Sequence, residues 1–113
     1  MPDSARLLDP AALREALRAH VTELLGEDDP EFVAELAATF CESAAGLVET
    51  ARAAAEAGDG DALRSAAHQM RGSALSVGLA SLAEAWTRVE HGHDASPAAA
   101  LAETERAVAA LAG

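Results

Sequence analysis

Prolines, glycines and aspartates recur in this chain at intervals that mark where helices begin and end. A residue that can cap a helix comes directly before a proline three times, at Asp9 and Pro10, at Asp29 and Pro30, and at Ser96 and Pro97. Such a pair favours a helix start, because the cap accepts a free backbone N–H and proline suits the first turn. Glycines close the segments between these starts, at Gly26, in "EAGDGD" and at Gly78. The chain is therefore divided into helical segments with short connections.

Apolar residues recur at intervals of three and four within each segment, as in a helix that buries one face. In the first segment they are Leu13, Leu17, Val21 and Leu24, and in the fourth they are Leu79, Leu82, Trp86 and Val89. The spacing predicts helices over about residues 10–25, 30–57, 59–77, 79–91 and 97–111.

The residue types favour an all-α fold. Alanine, leucine, glutamate and arginine are strong helix formers and are abundant, whereas aromatic residues make up only 3% of the chain. The 113 residues suffice for one domain with a single modest core. We therefore predict an antiparallel up-and-down four-helix bundle with an additional N-terminal helix lying across one end. Residues 1–6 precede the first predicted helix, and we expect them to be disordered.

The charge of the chain argues against several kinds of partner. The chain has eight arginines and nineteen aspartates and glutamates. The resulting formal net charge of −11 disfavours non-specific binding to nucleic acid or to an anionic membrane. No apolar stretch approaches the ~20 residues that span a bilayer, and the N-terminus lacks the pattern of a secretory leader. Cys41 is the single cysteine and cannot form an internal disulfide. We expect a cytoplasmic protein that binds neither nucleic acid nor membrane.

One histidine lies in the middle of the third predicted helix, next to its apolar face. His68 is rotated about 100° from Ala67, which places the imidazole at the edge of the buried stripe and exposes it to solvent. Helical side chains lean toward the N-terminus, so the residue at position i+4 comes closest to covering this ring. That residue is Gly72, although a glycine inside a helix costs roughly 1 kcal/mol relative to alanine. The missing side chain is explained if a reactant must approach His68.

The residues around His68 suit a phosphoryl group carried on the imidazole. A neutral imidazole is nucleophilic near neutral pH and attacks through a ring nitrogen without a separate base. Arg64 and Arg71 lie one turn to either side, where guanidinium groups can hydrogen-bond an anion attached to the ring.

The stretch "AHQMRGSALSVGLASLAEAWTRVE", residues 67–90, resembles the motif of histidine-containing phosphotransfer (HPt) domains. That motif runs alanine, histidine, any residue, an apolar residue, a basic residue, glycine, then serine or alanine, with a second glycine ten residues after the histidine, here Gly78. The similarity extends to the earlier stretches "LLDPAAL", "DDPEFVAELAATFCES" and "ARAAAEAGDGDALRSAAH". The resemblance predicts an HPt domain over residues 7–111.

This resemblance implies a role for each of four residues. His68 would accept a phosphoryl group from an aspartate of a response-regulator receiver domain and pass it to another receiver. Arg71, in place of the family's usual lysine, would help to hold the phosphoryl group, and Gly72 would keep the ring open to the partner. Glu90, twenty-two residues after the histidine, would hydrogen-bond and orient the imidazole. The partner would supply the aspartate and Mg²⁺, so we expect no cofactor and no metal site in this chain.

Other residues near the motif allow more than one interpretation. Leu75 and Ser73 either form part of a docking surface for the receiver or belong to the packing of the helix. Arg64 lies outside the motif, and it either binds the phosphoryl group or belongs to a solvated face. The loop stretch "HGHD" brings two histidines and an aspartate together, but without fixed geometry or a further ligand it makes a poor zinc site.

Three functions are compatible with these features. The favoured one is a phosphocarrier of a multistep His–Asp relay, which is not itself an enzyme and is served by a hybrid or chemotaxis-type histidine kinase. The second is the phosphoacceptor domain of a chemotaxis-type histidine kinase, and the third is a helical adaptor in which His68 has no chemical role. A carrier must expose one histidine to several partners in turn, so we expect a monomer.

Overall fold

The computed structural model describes residues 10–93 and 96–112, and within these ranges every regular element is an α-helix. The helices are α1 (Pro10–Leu25), α2 (Pro30–Ala57), α3 (Gly60–Ser76), α4 (Ala80–Glu90) and α5 (Ala98–Ala112). Their positions confirm the predicted all-α class and the predicted segments. Residues 1–6 and the predicted cap Asp9 lie outside the described part. In the part that is described, no helix combines the length and the apolar character needed to cross a membrane.

Helices α2 to α5 form the predicted four-helix bundle. Each packs against the next along the chain, and α5 closes the ring by packing against α2. Residues 58–59 and 77–79 are short connections of the kind that join antiparallel neighbours. Helix α1 packs on α5 and α2, and Leu13 and Ala16 share a small cleft with the connection between α3 and α4. The additional helix thus covers one end of the bundle.

The core contains many alanines and few large side chains. The largest fully buried side chains are those of Trp86, Leu17, Met70, Val21, Val77 and Thr104. Trp86 Nε1–H donates to Thr104 Oγ1 at 2.8 Å, and the Thr104 hydroxyl donates to the Ala100 carbonyl at 2.7 Å. The polar atom of the indole is therefore satisfied inside the core. Trp86 anchors α4 to α5, as its position in the apolar stripe predicts.

Polar side chains cap three of the helix starts. Asp29 and Asp59 each accept the backbone N–H three residues later, at 3.0 and 3.1 Å. Ser96 accepts the N–H two residues later at 3.1 Å. These contacts satisfy backbone donors that have no partner within the helix. The cap at Asp59 fixes the start of α3, the helix that carries His68.

One residue of the predicted α1 stripe is not part of the core. Leu13, Leu17 and Val21 are buried, but Leu24 is 62% exposed. Leu24 lies on the same face of α1 as these residues, but it is in the last turn of the helix, where Leu25 is exposed as well. The periodicity predicts the face that a residue occupies, not how far along the helix a neighbour covers that face.

The connection between α3 and α4 contains a glycine that two features of the structure require. Gly78 has a φ of +76°, in the left-handed region, and the next residue, Leu79, donates its N–H to the Ala74 carbonyl at 2.9 Å. This geometry confirms the predicted helix end. In addition, a Cβ at Gly78 would lie 2.6 Å from the Cβ of His20 on α1. The close approach of α1 is a second reason for glycine, which the sequence did not reveal.

Replacing Gly78 with alanine is therefore expected to destabilise the protein by about 2–4 kcal/mol. The left-handed backbone costs an L-residue about 1–2 kcal/mol, and the overlap with His20 forces a shift that costs about 1–2 kcal/mol more. Urea unfolding followed by circular dichroism measures the loss as a lower midpoint at an unchanged slope.

Gly58→Ala is the matched control for this prediction. Gly58 also has a positive φ, +69°, but a Cβ there would meet no atom within 4 Å. Its loss should be limited to the backbone cost of about 1–2 kcal/mol. Equal losses for Gly58→Ala and Gly78→Ala would contradict the importance of the His20 contact.

Candidate functional site

Helix α3 presents His68 to solvent. Ala67 and Met70, on either side of it in sequence, are fully buried in the core and fix the rotation of α3 about its axis. The imidazole consequently lies on the outer face of the bundle, with 62% of its side chain exposed. A ring in this position is accessible to another protein.

The Nδ1 atom of His68 contacts a carboxylate from the neighbouring helix. Glu90 is the last residue of α4, and its Oε2 lies 2.9 Å from Nδ1. Only 19% of the Glu90 side chain is exposed. The hydrogen bond with His68 and the nearby charges, that of Arg71 foremost, lower the pKa of Glu90 despite its partial burial. Glu90 is therefore ionised at neutral pH and can only accept hydrogen bonds.

Arg71 completes a cluster with His68 and Glu90, which we term the His68 cluster. Its Nη1 lies 3.2 Å from Glu90 Oε1, and its Nη2 lies 3.2 Å from His68 Nδ1. Glu90 Oε1 is shielded from solvent and, among the described residues, accepts no hydrogen bond of good geometry. The ion pair with Arg71 is thus the contact that balances the charge on this oxygen.

The surface of α3 beside His68 is open at Gly72. A Cβ built at Gly72 would meet no atom of the described chain within 4 Å. Gly72 and Ser73 border an open groove between α2 and α3, whose other side includes Gly46 and Leu47. The missing side chain at Gly72 thus leaves open space on α3, one turn after His68.

Comparison with known protein families decides what kind of domain presents this cluster. Residues 35–113 match the family model of the Hpt domain. The chain belongs to the Hpt domain family. Hpt domains are phosphocarriers that act in the phosphotransfer of His–Asp phosphorelays. The comparisons with curated proteins and with solved structures found no match. The family match begins at residue 35, so a domain start at residue 7 stays a prediction.

Three of the residues predicted for the site of this Hpt domain lie away from the His68 cluster. The Arg64 guanidinium is paired with Asp61, one turn earlier on α3, and so points away from His68. Leu75 lies two turns beyond His68 and is 53% exposed, and Ser73 borders the groove. The structure therefore brings Arg71 and Glu90 to the imidazole but does not bring Arg64 there.

The loop that follows α4 contains the two histidines of the "HGHD" stretch. The ring centroids of His91 and His93 are 6.2 Å apart, and Asp94 lies outside the described residues. Over residues 10–93 and 96–112, no three His, Cys, Asp or Glu side chains are grouped so that they could hold a metal ion.

The ion pair between Arg71 and Glu90 is the feature of the site that sequence reasoning missed. The two residues are on different helices, so no helical spacing relates them; the resemblance predicts Arg71 as a partner of the phosphoryl group and Glu90 as a partner of the imidazole. The pair of Asp61 with Arg64 has a local signal, because opposite charges three residues apart on a helix are neighbours. That spacing accounts for the position of the Arg64 guanidinium.

Proposed function

We propose that this Hpt domain carries a phosphoryl group on His68, which it takes from one receiver-domain aspartate and passes to another. The observation that supports this best is an exposed imidazole whose Nδ1 contacts the Glu90 carboxylate, next to a position, Gly72, that has no side chain. The carboxylate orients the ring, and the glycine leaves space for a second protein.

The proposed reaction uses Nε2 of His68 as the nucleophile. When Nδ1 carries the ring proton and its N–H donates a hydrogen bond to Glu90, Nε2 keeps its lone pair. Nε2 attacks the phosphorus of the aspartyl phosphate, and the N–P bond forms as the P–O bond to aspartate breaks. The aspartate leaves with that electron pair as a carboxylate. The ring then carries a positive charge, which the Glu90 carboxylate at Nδ1 balances, and transfer to the next receiver reverses these steps.

The phosphoryl group needs positive partners on both proteins. The Arg71 guanidinium is one turn from His68 and can hydrogen-bond two phosphoryl oxygens through its planar fork. We expect the receiver to hold Mg²⁺ beside its aspartate, so that the carrier needs no metal of its own. Receiver domains, including those of hybrid histidine kinases, are the expected partners, and a cytoplasmic monomer fits exchange with several of them.

Arg71→Ala is expected to slow transfer about tenfold to hundredfold, because the phosphoryl charge loses a cationic hydrogen-bond donor. The unfolding free energy should fall by about 1–2 kcal/mol, because the solvent-shielded Oε1 of Glu90 loses its ion-pair partner. Rapid-quench kinetics with a phosphorylated receiver measure the rate. Arg64→Ala removes the same charge on the other side of His68 and should transfer at nearly the normal rate. Equal slowing in both variants would contradict the role of Arg71.

The proposed function is tested by mixing the chain with a panel of phosphorylated receiver domains and Mg²⁺, without ATP. We expect the phosphoryl group to leave at least one receiver and to appear on the chain. An absence of transfer from every receiver, combined with phosphorylation by the ATP-binding domain of a chemotaxis-type kinase alone, would favour the phosphoacceptor function. An absence of both reactions would favour the adaptor.

A further inference from the structure

The two contacts at His68 Nδ1 exclude each other. Arg71 Nη2 lies 3.2 Å from this nitrogen, and Glu90 Oε2 lies 2.9 Å from it. Arginine is always charged and only donates, whereas the ionised carboxylate only accepts. A neutral imidazole has one protonated and one unprotonated nitrogen. Nδ1 can therefore accept from Arg71 or donate to Glu90, but it cannot do both at once.

Each alternative fixes the state of the other ring nitrogen. If Nδ1 accepts from Arg71, the proton of the neutral ring is on Nε2, which then has no lone pair for attack. If Nδ1 donates to Glu90, Nε2 is unprotonated and nucleophilic. Glu90 thus favours the reactive tautomer of His68, and Arg71 opposes it.

Glu90 itself holds Arg71 beside Nδ1, the position in which Arg71 favours the unreactive tautomer. Its Oε1 is shielded from solvent and has the Arg71 Nη1 at 3.2 Å as its ion-pair partner. One carboxylate oxygen therefore keeps the guanidinium beside Nδ1, while the other oxygen competes with the guanidinium for the same ring nitrogen. The tautomer ratio of His68 depends on the relative strengths of the hydrogen bonds that Arg71 and Glu90 make with Nδ1.

We propose that Arg71 is a positioning residue that keeps part of the free protein in the unreactive Nε2–H tautomer until an anionic phosphoryl group draws its guanidinium away. The inference rests on the proposed function. A phosphoryl group offers the guanidinium a bidentate partner, and Nδ1 then donates to Glu90. Nε2 loses its proton to solvent and Nδ1 takes one from solvent, which the exposure of the ring allows, so the protein gains no net proton.

Nitrogen NMR of the chain labelled with ¹⁵N-histidine measures the tautomer ratio of His68 directly. The spectrum is recorded at about pH 9, where histidine side chains are ordinarily neutral, and the His68 signals are assigned by their loss in His68→Gln. We expect both tautomers in the wild type. Arg71→Ala should raise the ratio of Nδ1–H to Nε2–H about fivefold, the effect of one lost hydrogen bond. Arg64→Ala is the matched control and should leave the ratio unchanged. An unchanged ratio in Arg71→Ala would overturn the inference.

A second pair of variants tests whether Glu90 holds Arg71 in place. Glutamine at position 90 has no charge to pair with the guanidinium, so in the Glu90→Gln background the removal of Arg71 should change the ratio less than about twofold. The full fivefold change in both backgrounds would contradict the holding role of Glu90.

Failure of this inference can be told apart from failure of the proposed function. In Arg71→Ala we expect the tautomer ratio to move toward the reactive form while transfer becomes slower, because the phosphoryl group has lost its guanidinium. An unchanged ratio with normal transfer to the wild-type chain would overturn only the tautomer inference. A wild-type chain that accepts no phosphoryl group would overturn the proposed function, whatever the ratio.

Discussion

Replacing His68 with glutamine is expected to abolish phosphoryl transfer to the chain while leaving the fold intact. Glutamine has a similar size and can still hydrogen-bond Glu90 and Arg71, but its amide nitrogen has no lone pair available for attack. Because the His68 side chain is largely exposed, the unfolding free energy should change by less than about 1 kcal/mol. A time course of label transfer from a phosphorylated receiver measures the loss, and urea unfolding checks the fold.

His93→Gln is the matched control for this variant. His93 is exposed and lies in the loop after α4, outside the His68 cluster. We expect its replacement to leave transfer at the wild-type rate, which shows that a histidine in general is not what the receiver requires. Label on His68→Gln at the wild-type level would contradict the assignment of the phosphoryl group to His68.

Replacing Gly72 with leucine is expected to slow transfer by about a hundredfold or more, although the helix itself becomes more stable. Leucine has a higher helix propensity than glycine by roughly 1 kcal/mol, and the first side-chain atom at this position meets nothing. The remaining atoms lean back toward His68 and fill the space through which a receiver must approach. A hundredfold loss of rate corresponds to an activation free energy that is higher by about 2.7 kcal/mol. Transfer kinetics and urea unfolding of the same sample measure the two opposite effects.

Gly72→Ala provides a graded control at the same position. A Cβ at Gly72 has no neighbour within 4 Å, so alanine should gain most of the helix stability and should hinder docking much less than leucine. Normal transfer by Gly72→Leu would show that the receiver does not need the space left by the missing side chain. Equal slowing by alanine and leucine would point to a backbone effect at Gly72 instead.

Local patterns were sufficient to predict the helices and their ends. Asp29 and Asp59 cap their helices through contacts that depend only on the next three residues, and the α4 stripe around Trp86 is buried as its spacing predicts. Long-range packing was not predictable in the same way. The exposure of Leu24 and the contact between His20 and Gly78 both depend on where α1 meets the rest of the bundle.

In the candidate site, too, local features were predictable from spacing and contacts between helices were not. The accessibility of His68 and the gap at Gly72 follow from spacing within one helix. The contact of Glu90 with the imidazole was expected from the family resemblance, which places such a residue twenty-two positions after the histidine. The ion pair between Arg71 and Glu90, and the competition it creates at Nδ1, depend on side-chain positions across two helices. No sequence spacing reports such a contact.

The most direct test of the account is to determine which atom of the chain carries phosphorus after transfer from a phosphorylated receiver. Mass spectrometry of the labelled chain locates the residue, and ³¹P NMR with ¹⁵N-histidine labelling identifies the bonded nitrogen. We predict one phosphoryl group per chain, bonded to Nε2 of His68, stable in alkali and labile in acid. Phosphorus on another residue, or no phosphorus on the chain after mixing with every receiver of the panel, would contradict the account.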